Sequence, residues 1–349
     1  MKRNFAQVAV FVSLIAGISV RVGSQSKAPD LNAFFTQNIG LKKDQIADIR
    51  NGKPVALDLK SRIPDEIFVF GAVYINAEPE KYIKFITDIE RLSKLPEYPG
   101  IGKFSSPPQV SDLKNFELDS DDIAALKKCK PGDCMLQMPS KSMELVQKSV
   151  NWSAPDVARQ VNDLLKKGAV QRLSDYQKGG NQILGEYNDK SNPRKVAEQF
   201  KYMISYSKTL PSYLPGFYNY LLNYPDGKPA NVENTFQWAK VKFGLKPTLR
   251  ILHIVTMRGS GPNEPAYVIA EKQLYSSHYF ATALDLTFCM RDSQDPKKPG
   301  FYLLRAMGSE QAGLTGFKGS IVRRSAVGRS VNALEKSLAS IKATLESQK

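Results

Sequence analysis

Two periodicities divide this chain. Residues 66–77 (EIFVFGAVYINA) form a run of β-branched and aromatic side chains that reads as a strand. A helix follows at once: Pro79 suits its first turn, and Tyr82, Phe85, Ile86, Ile89 and Leu92 recur at three- and four-residue steps. Period two returns at residue 245 and predicts strands over 248–257, 265–274, 275–290 and 300–308. Gly259-Ser260-Gly261 is a turn between two of them, a bulge or tight bend is expected near Tyr275-Ser276, and residues 292–299 are a polar turn. Consecutive strands on short links make an antiparallel sheet. The chain closes on a second helical pattern: Phe317, Ile321, Val327, Val331, Leu334, Leu338, Ile341 and Leu345 fall in one stripe, with Arg323, Arg324, Lys336 and Lys342 off it. Such a stripe needs a broad apolar surface, and the strands supply one.

Between these blocks the pattern is helical and mixed. Residues 30–39 and 42–51 read as short helices ended by Gly40 and Gly52, within an amino-terminal arm over 26–65. Strand-like pieces are expected over 103–118, a short helix over 121–128 capped by Asp119 or Ser120, and a short strand over 134–138. Ser153-Ala154-Pro155-Asp156 is a capping-box variant opening a long helix that lasts until Gly179-Gly180. Further helices are predicted over 194–208, 215–223 and 231–243. Residues 139–244 thus read as a helical insertion. Its Tyr213, Phe217, Tyr218, Tyr220, Tyr224, Phe236 and Trp238 form a core of their own or, alternatively, a partner-binding surface. The order is α+β: a curved antiparallel sheet gripping a long carboxy-terminal helix, with a helical insertion.

Composition sharpens this outline. Hydrophobic residues make up 42% and charged residues 24%, which fits a globular chain and excludes a disordered tail. Lys2 and Arg3, the apolar run over 5–20 and the small-residue Gly23-Ser24 predict a cleaved export segment over residues 1–25, and so a periplasmic or secreted protein. The net charge of +15 favours anionic partners, among them a membrane surface. Export argues against nucleic acid. Cys129 and Cys134 flank the turn sequence Lys130-Pro131-Gly132-Asp133 and can close a disulfide in an oxidising compartment. No second Cys pair or nearby His completes a metal site, and no cofactor motif is present. Cys289 sits in an apolar strand as a buried free thiol.

The opening IFVFGAVYINAEPEKYIKFITDIERL (residues 67–92), with its strand-to-helix step Ala77-Glu78-Pro79-Glu80, and the closing strands and helix from Gly313 resemble the START-like, or helix-grip, superfamily of lipid-binding and polyketide-cyclase-like proteins. The resemblance covers 66–138 and 245–346. It implies an apolar cavity between sheet and last helix that holds a lipid or other hydrophobic molecule. The superfamily also includes enzymes, so the activity stays open.

Candidate chemistry concentrates on the strands. The chain's two histidines, His253 and His278, alternate with apolar neighbours and are either satisfied core groups or polar contacts inside a ligand cavity. Arg305 lies between Leu303 and Met307 and needs a partner, for which Glu271 and Asp285 are the strand acids available. Tyr275, Tyr279 and Tyr267 can offer hydroxyls to a ligand, and Phe317 and Ile321 are expected at the cavity mouth. The leading expectation is an exported carrier of a hydrophobic small molecule or lipid. The alternative is an enzyme of cyclase or hydrolase type using His253 or His278 in the cavity.

Overall fold

The computed structural model describes residues 30–242, 246–261, 264–292, 295 and 298–347. The export segment expected over 1–25 lies outside these residues. The arm begins with α1 (Leu31–Ala33), which continues as a π-helical turn (Phe34–Ile39), and α2 (Lys43–Arg50); Gly40 and Gly52 follow them at positive φ. Strands β1 (Val55–Leu59) and β2 (Glu66–Ile75) form a hairpin. The expected helix after β2 breaks in two, α3 (Pro79–Thr87) and α4 (Ile89–Ser93), because the Asp88 carboxylate accepts from the Arg91 amide and restarts the helix there.

Strand β3 (Gly100–Lys103) precedes the helical region: α5 (Ser120–Leu126), α6 (Ser140–Ser149), α7 (Val157–Gly179), the two-residue strands β4 (Glu186–Tyr187) and β5 (Arg194–Lys195), α8 (Val196–Tyr206), α9 (Leu210–Tyr213) and α10 (Pro215–Asn223). Strands β6 (Val232–Lys242), β7 (Pro247–Arg258), β8 (Tyr267–Ser276), β9 (Phe280–Met290) and β10 (Phe301–Gln311) lead into α11 (Gly316–Ser347). The main sheet has eight strands in the order β1-β2-β10-β9-β8-β7-β6-β3, every neighbouring pair antiparallel. The architecture is therefore α+β, with a long carboxy-terminal helix across an antiparallel sheet.

Three expectations need correction. Residues 231–243 are strand β6, not a helix. Val232, Thr235, Phe236, Trp238 and Val241 favour a pleated surface, and pairing on both sides with β3 and β7 overrides the helical spacing. The insertion consequently lies between β3 and β6. Residues 134–138 are irregular, with a bend at Met135-Leu136, and not a strand; the Gln137 amide donates to the Ser277 carbonyl at 2.9 Å. Helix α6 was not anticipated, and the Ser153 capping box gives way to Asp156 as the residue before α7.

Helices cover both faces of the sheet, so all ten residues of β2 are buried. On one face Ile67, Val69, Val73 and Ile75 pack against Leu334, Leu338, Ile341 and Leu345 of α11. On the other, Phe70, Ala72 and Tyr74 receive the arm through Phe35, Ile46 and Ile49, and the strands from β6 to β9 receive the insertion. Gly71 sets the depth at which α11 lies. A Cβ there would stand 2.8 Å from Leu338 Cδ1 and 2.9 Å from Leu334. The expected cavity between sheet and helix is closed at this point by those two leucines. Gly71→Val is expected to lower stability by about 1–3 kcal/mol through overpacking; Gly168→Ala, where an added Cβ meets nothing within 4 Å, is expected to be neutral or stabilising in the same urea unfolding series.

Candidate functional site

The apolar cavity lies on the opposite face from α11, between the sheet and helices α5, α6 and α7. It has a volume of about 330 Å³, within the range of roughly 300–1,000 Å³ usual for small-molecule sites. Helix α7 forms its long wall. Val161, Leu164, Leu165 and Ala169 recur on one side of that helix, and the small pair Gly168-Ala169 leaves the wall indented. Leu118 and Met138 close the sides, and Ile251 and Tyr275 form the floor contributed by the sheet. Leu145 and Ile183 line it while remaining 52% and 43% exposed, so the cavity opens to solvent along an apolar rim.

Few polar groups reach this space. Asp175 accepts from Gln171 Nε2 at 2.8 Å. Arg172 is half-buried and has no ion-pair or hydrogen-bond partner among the described residues. Its charge is felt by the hydroxyls of Tyr275 and Tyr187, which burial otherwise pushes well above the usual phenol range. A guanidinium lining an apolar cavity, beside a floor that carries a phenol, is suited to an acid-headed or otherwise polar-headed hydrophobic molecule.

Of the residues expected at a site, Tyr275 alone lines this cavity. His253 is fully buried in a separate polar network. Lys272 Nζ donates to the Tyr176 hydroxyl at 2.9 Å and to Asn181 Oδ1. Since Tyr176 receives that proton, its own O–H points to His253 Nδ1 at 2.9 Å, which leaves the imidazole proton on Nε2, donated to Asn234 Oδ1 at 2.8 Å. Asn234 Nδ2 then donates to Tyr220 at 2.8 Å. The rings of Tyr176, Phe200 and Tyr224 surround the ammonium at 5.4–5.7 Å. Burial pushes Lys272 down to about 7. Burial, and then the nearby Lys272, holds His253 well below its ordinary value. This network ties α7 and α10 to β6, β7 and β8.

His278 stands in the turn before β9, not within a strand, and its Nε2 meets Asp122 Oδ2 at 2.9 Å. Burial raises Asp122, but hydrogen bonds from His278 and Lys246 outweigh it and hold the carboxylate below its usual value. Tyr279, at φ 62°, accepts the Lys246 amide at 3.0 Å. Tyr267 donates to Glu80 at 3.4 Å. Arg305 pairs with Asp285 at 3.9 Å, as the sequence allowed, on the face that carries α11. Glu271 stands directly across from Asp285, and Arg250 reaches Glu271 at 3.6 Å. Burial and the facing Glu271 hold Asp285 above the ordinary carboxylate range, against the pull of Arg305.

Phe317 and Ile321 line neither cavity and are 84% and 60% exposed. The stripe read from the sequence drifts: counted back from Leu345 in sevens, each heptad turns by about 20°, so over four heptads Phe317 leaves the face that Leu338 and Leu345 bury. A second, open cleft of about 660 Å³ lies beside this end of α11, lined by Arg62, Arg323 and Arg324 with Asp58, Ile63 and Val327. The Cys129–Cys134 disulfide is formed, and Cys289 is a buried free thiol. No group of His, Cys, Asp and Glu fit to hold a metal ion occurs among the described residues. In comparison with known proteins, the chain matches no family model and no curated protein.

Proposed function

We propose that this chain is an exported carrier of the START-like type that binds a hydrophobic small molecule, a lipid chain above all, in the cavity between α7 and the sheet. The observation that carries this reading is the apolar cavity with Arg172 beside it, unpaired among the described residues. The eight-stranded antiparallel sheet beneath a long last helix supports the START-like relationship, and the disulfide supports an oxidising compartment. The binding site differs from the one the resemblance implies: it uses the sheet face covered by the insertion. Affinity comes from apolar burial, at about 25 cal/mol per Å², and Arg172 orients an acidic head.

Native mass spectrometry of the purified chain, followed by titration with a fluorescent medium-chain fatty acid, tests the reading. Ala169→Phe fills the cavity and is expected to abolish binding, with the fold checked by circular dichroism. Arg172→Ala is expected to weaken the acid by about tenfold or more, the value of a charge-assisted hydrogen bond, while leaving a fatty alcohol of equal length unchanged. Unaltered acid binding in Ala169→Phe, or no binding by the native chain, sinks the proposal. The enzyme reading lacks its geometric requirement, since neither His253 nor His278 lines the cavity. A partner surface built on the insertion's aromatics is disfavoured too: Phe217, Tyr220, Tyr224 and Trp238 are buried.

A further inference from the structure

We propose that the amino-terminal half of α11 is a docking face for an anionic lipid bilayer. The large apolar side chains left exposed among the described residues are few and unevenly placed. Leu145 and Ile183 belong to the cavity rim, whereas Phe317, Ile321 and Val322 lie within six residues on one helix at 84%, 60% and 49% exposure. Ile63, 37% exposed, lines the adjoining cleft. An apolar patch that water alone covers is unfavourable, and it marks a surface made to be covered.

Charge selects the occupant. No Asp or Glu occurs between Glu310 and Glu335, while Lys318, Arg323, Arg324 and Arg329 do. Lys318, Arg324 and Arg329 have no ion-pair or hydrogen-bond partner among the described residues. At about 100° per residue Lys318 and Arg329 interleave with Ile321 and Val322 on the side of the helix turned away from Leu334, Leu338 and Leu345, and Phe317 and Arg324 lie along its flank, Arg324 beside the cleft. A basic, apolar helix face of this kind suits the boundary between acidic headgroups and acyl chains. A second copy of the same chain would bring four like charges against four.

The helix is also held in place for the task. Arg323 donates to the Pro64 carbonyl at 3.0 Å and to Ser61 at 2.8 Å, and the Leu314 amide donates to Asp65 at 3.1 Å. These bonds fasten the start of α11 to the β1–β2 connection, so the exposed face is presented by the body of the protein and is not a frayed end. The cleft beside it is lined by Arg323, Arg324 and Asp58, with Arg62 at its wall already paired with Glu66 at 2.7 Å, and Arg324 gives an acidic headgroup a seat. No described helix is long and apolar enough to cross a membrane, so the contact is with the bilayer surface.

The test uses the full chain carrying Ser325→Cys, an exposed position on this face, labelled with the environment-sensitive dye NBD. Cys289 is fully buried and Cys129 is bonded to Cys134, so the label goes to 325. Vesicles of phosphatidylcholine with one-third phosphatidylglycerol are expected to shift the dye to the blue and raise its intensity severalfold. Pure phosphatidylcholine leaves it unchanged, high salt reverses the effect, and a label at Val110→Cys does not respond. Adding Phe317→Ser and Ile321→Ser, or separately Lys318→Glu and Arg324→Glu, is expected to weaken vesicle co-sedimentation at least tenfold. The proposal is overturned if the dye at 325 ignores anionic vesicles, or if it is already shielded without them because a second copy or the chain's own amino-terminal residues cover the face. It is equally overturned if the serine variants sediment like the native chain. The assay reads docking with the cavity filled or empty, so its failure and that of the ligand reading are separable.

Discussion

Lys272→Met is expected to remove most of the rise in stability that the native chain shows between pH 7 and pH 9.5. Lys272 is fully buried with no carboxylate partner among the described residues; it donates to Tyr176 and Asn181, and burial pushes it down to about 7. In the unfolded chain the same amine titrates near 10.4. Between these two values the unfolded state binds more protons than the folded one, so stability increases with pH, by up to about 1.4 kcal/mol per unit. Below about 7 both states are protonated and the full penalty is present. From pH 7 to 9.5 Lys272 is therefore expected to add about 3 kcal/mol to the native chain that the Met variant lacks; the buried thiol of Cys289, raised by burial, lowers stability above its unfolded value near 8.5 in both proteins alike. His253 does not blur this window. Its depressed value acts only below its unfolded value near 6.5, where stability likewise rises with pH. The buried tyrosines, all raised, lower stability only above about 10. Met also leaves Tyr176 and Asn181 short of a donor, an added loss of about 1–3 kcal/mol at every pH. The measurable quantity is accordingly the change in the difference between the two proteins, read from urea unfolding at three pH values. Parallel curves would mean that Lys272 keeps its proton in the folded state, and the dry network described above would be wrong.

Much of this fold was visible in the order of hydrophobic residues, and the reasons for the exceptions are physical. The run at 66–77 reads as strand from either face because helices cover both sides of β2. The strands after residue 245 alternate because one register meets the insertion while the other meets α11, α3 or the charged row of Arg250, Glu271, Asp285 and Arg305. The spacing of Val232, Phe236 and Ala239 in strand β6 also satisfies a helix, and only pairing with the following strand β7 and with β3, remote in sequence, decides between the two. The cavity was harder still. Leu164, Leu165 and Ala169 are legible as the inward face of a helix, but whether an inward face packs or leaves room depends on what stands opposite. Gly168-Ala169 is the sole local signal of a dent. Lys272 did carry a signal, since it occupies the inward register of Val268, Ala270 and Leu274, where a lysine has to find polar partners. Those partners, Tyr176 and Asn181, lie some ninety residues earlier in the chain, where no periodicity points to them.

Arg194→Ala is expected to cost about 3–5 kcal/mol, the usual consequence of stripping one partner from a buried ionic cluster. Arg194 sits on β5 within the insertion. Its guanidinium donates to Asp65 at 2.6 Å and to Glu310 at 2.5 Å, and all three side chains are largely buried. Burial works against the charge on Arg194, but the two carboxylates outweigh it and raise its pKa. The cluster joins three distant pieces: the insertion, the start of β2 and the end of β10. Asp65 in addition accepts the Leu314 amide ahead of α11. Without the guanidinium, two carboxylates face each other in a site from which water is largely excluded. Arg194→Lys is expected to recover only part of the loss, because a single ammonium cannot make the forked contact that spans both acids. Arg159→Ala, which removes an exposed pair with Asp156 and Asp163, should change stability by no more than about 1 kcal/mol. Hydrogen exchange should show where the damage goes. If the cluster is the clasp between insertion and sheet, amides over 194–206 and 310–316 lose protection first in Arg194→Ala while those of β7 and β8 keep theirs. A loss below about 1 kcal/mol, or uniform deprotection, would place the hold on the insertion in the Lys272 network and the apolar contacts of α7 and α8 instead.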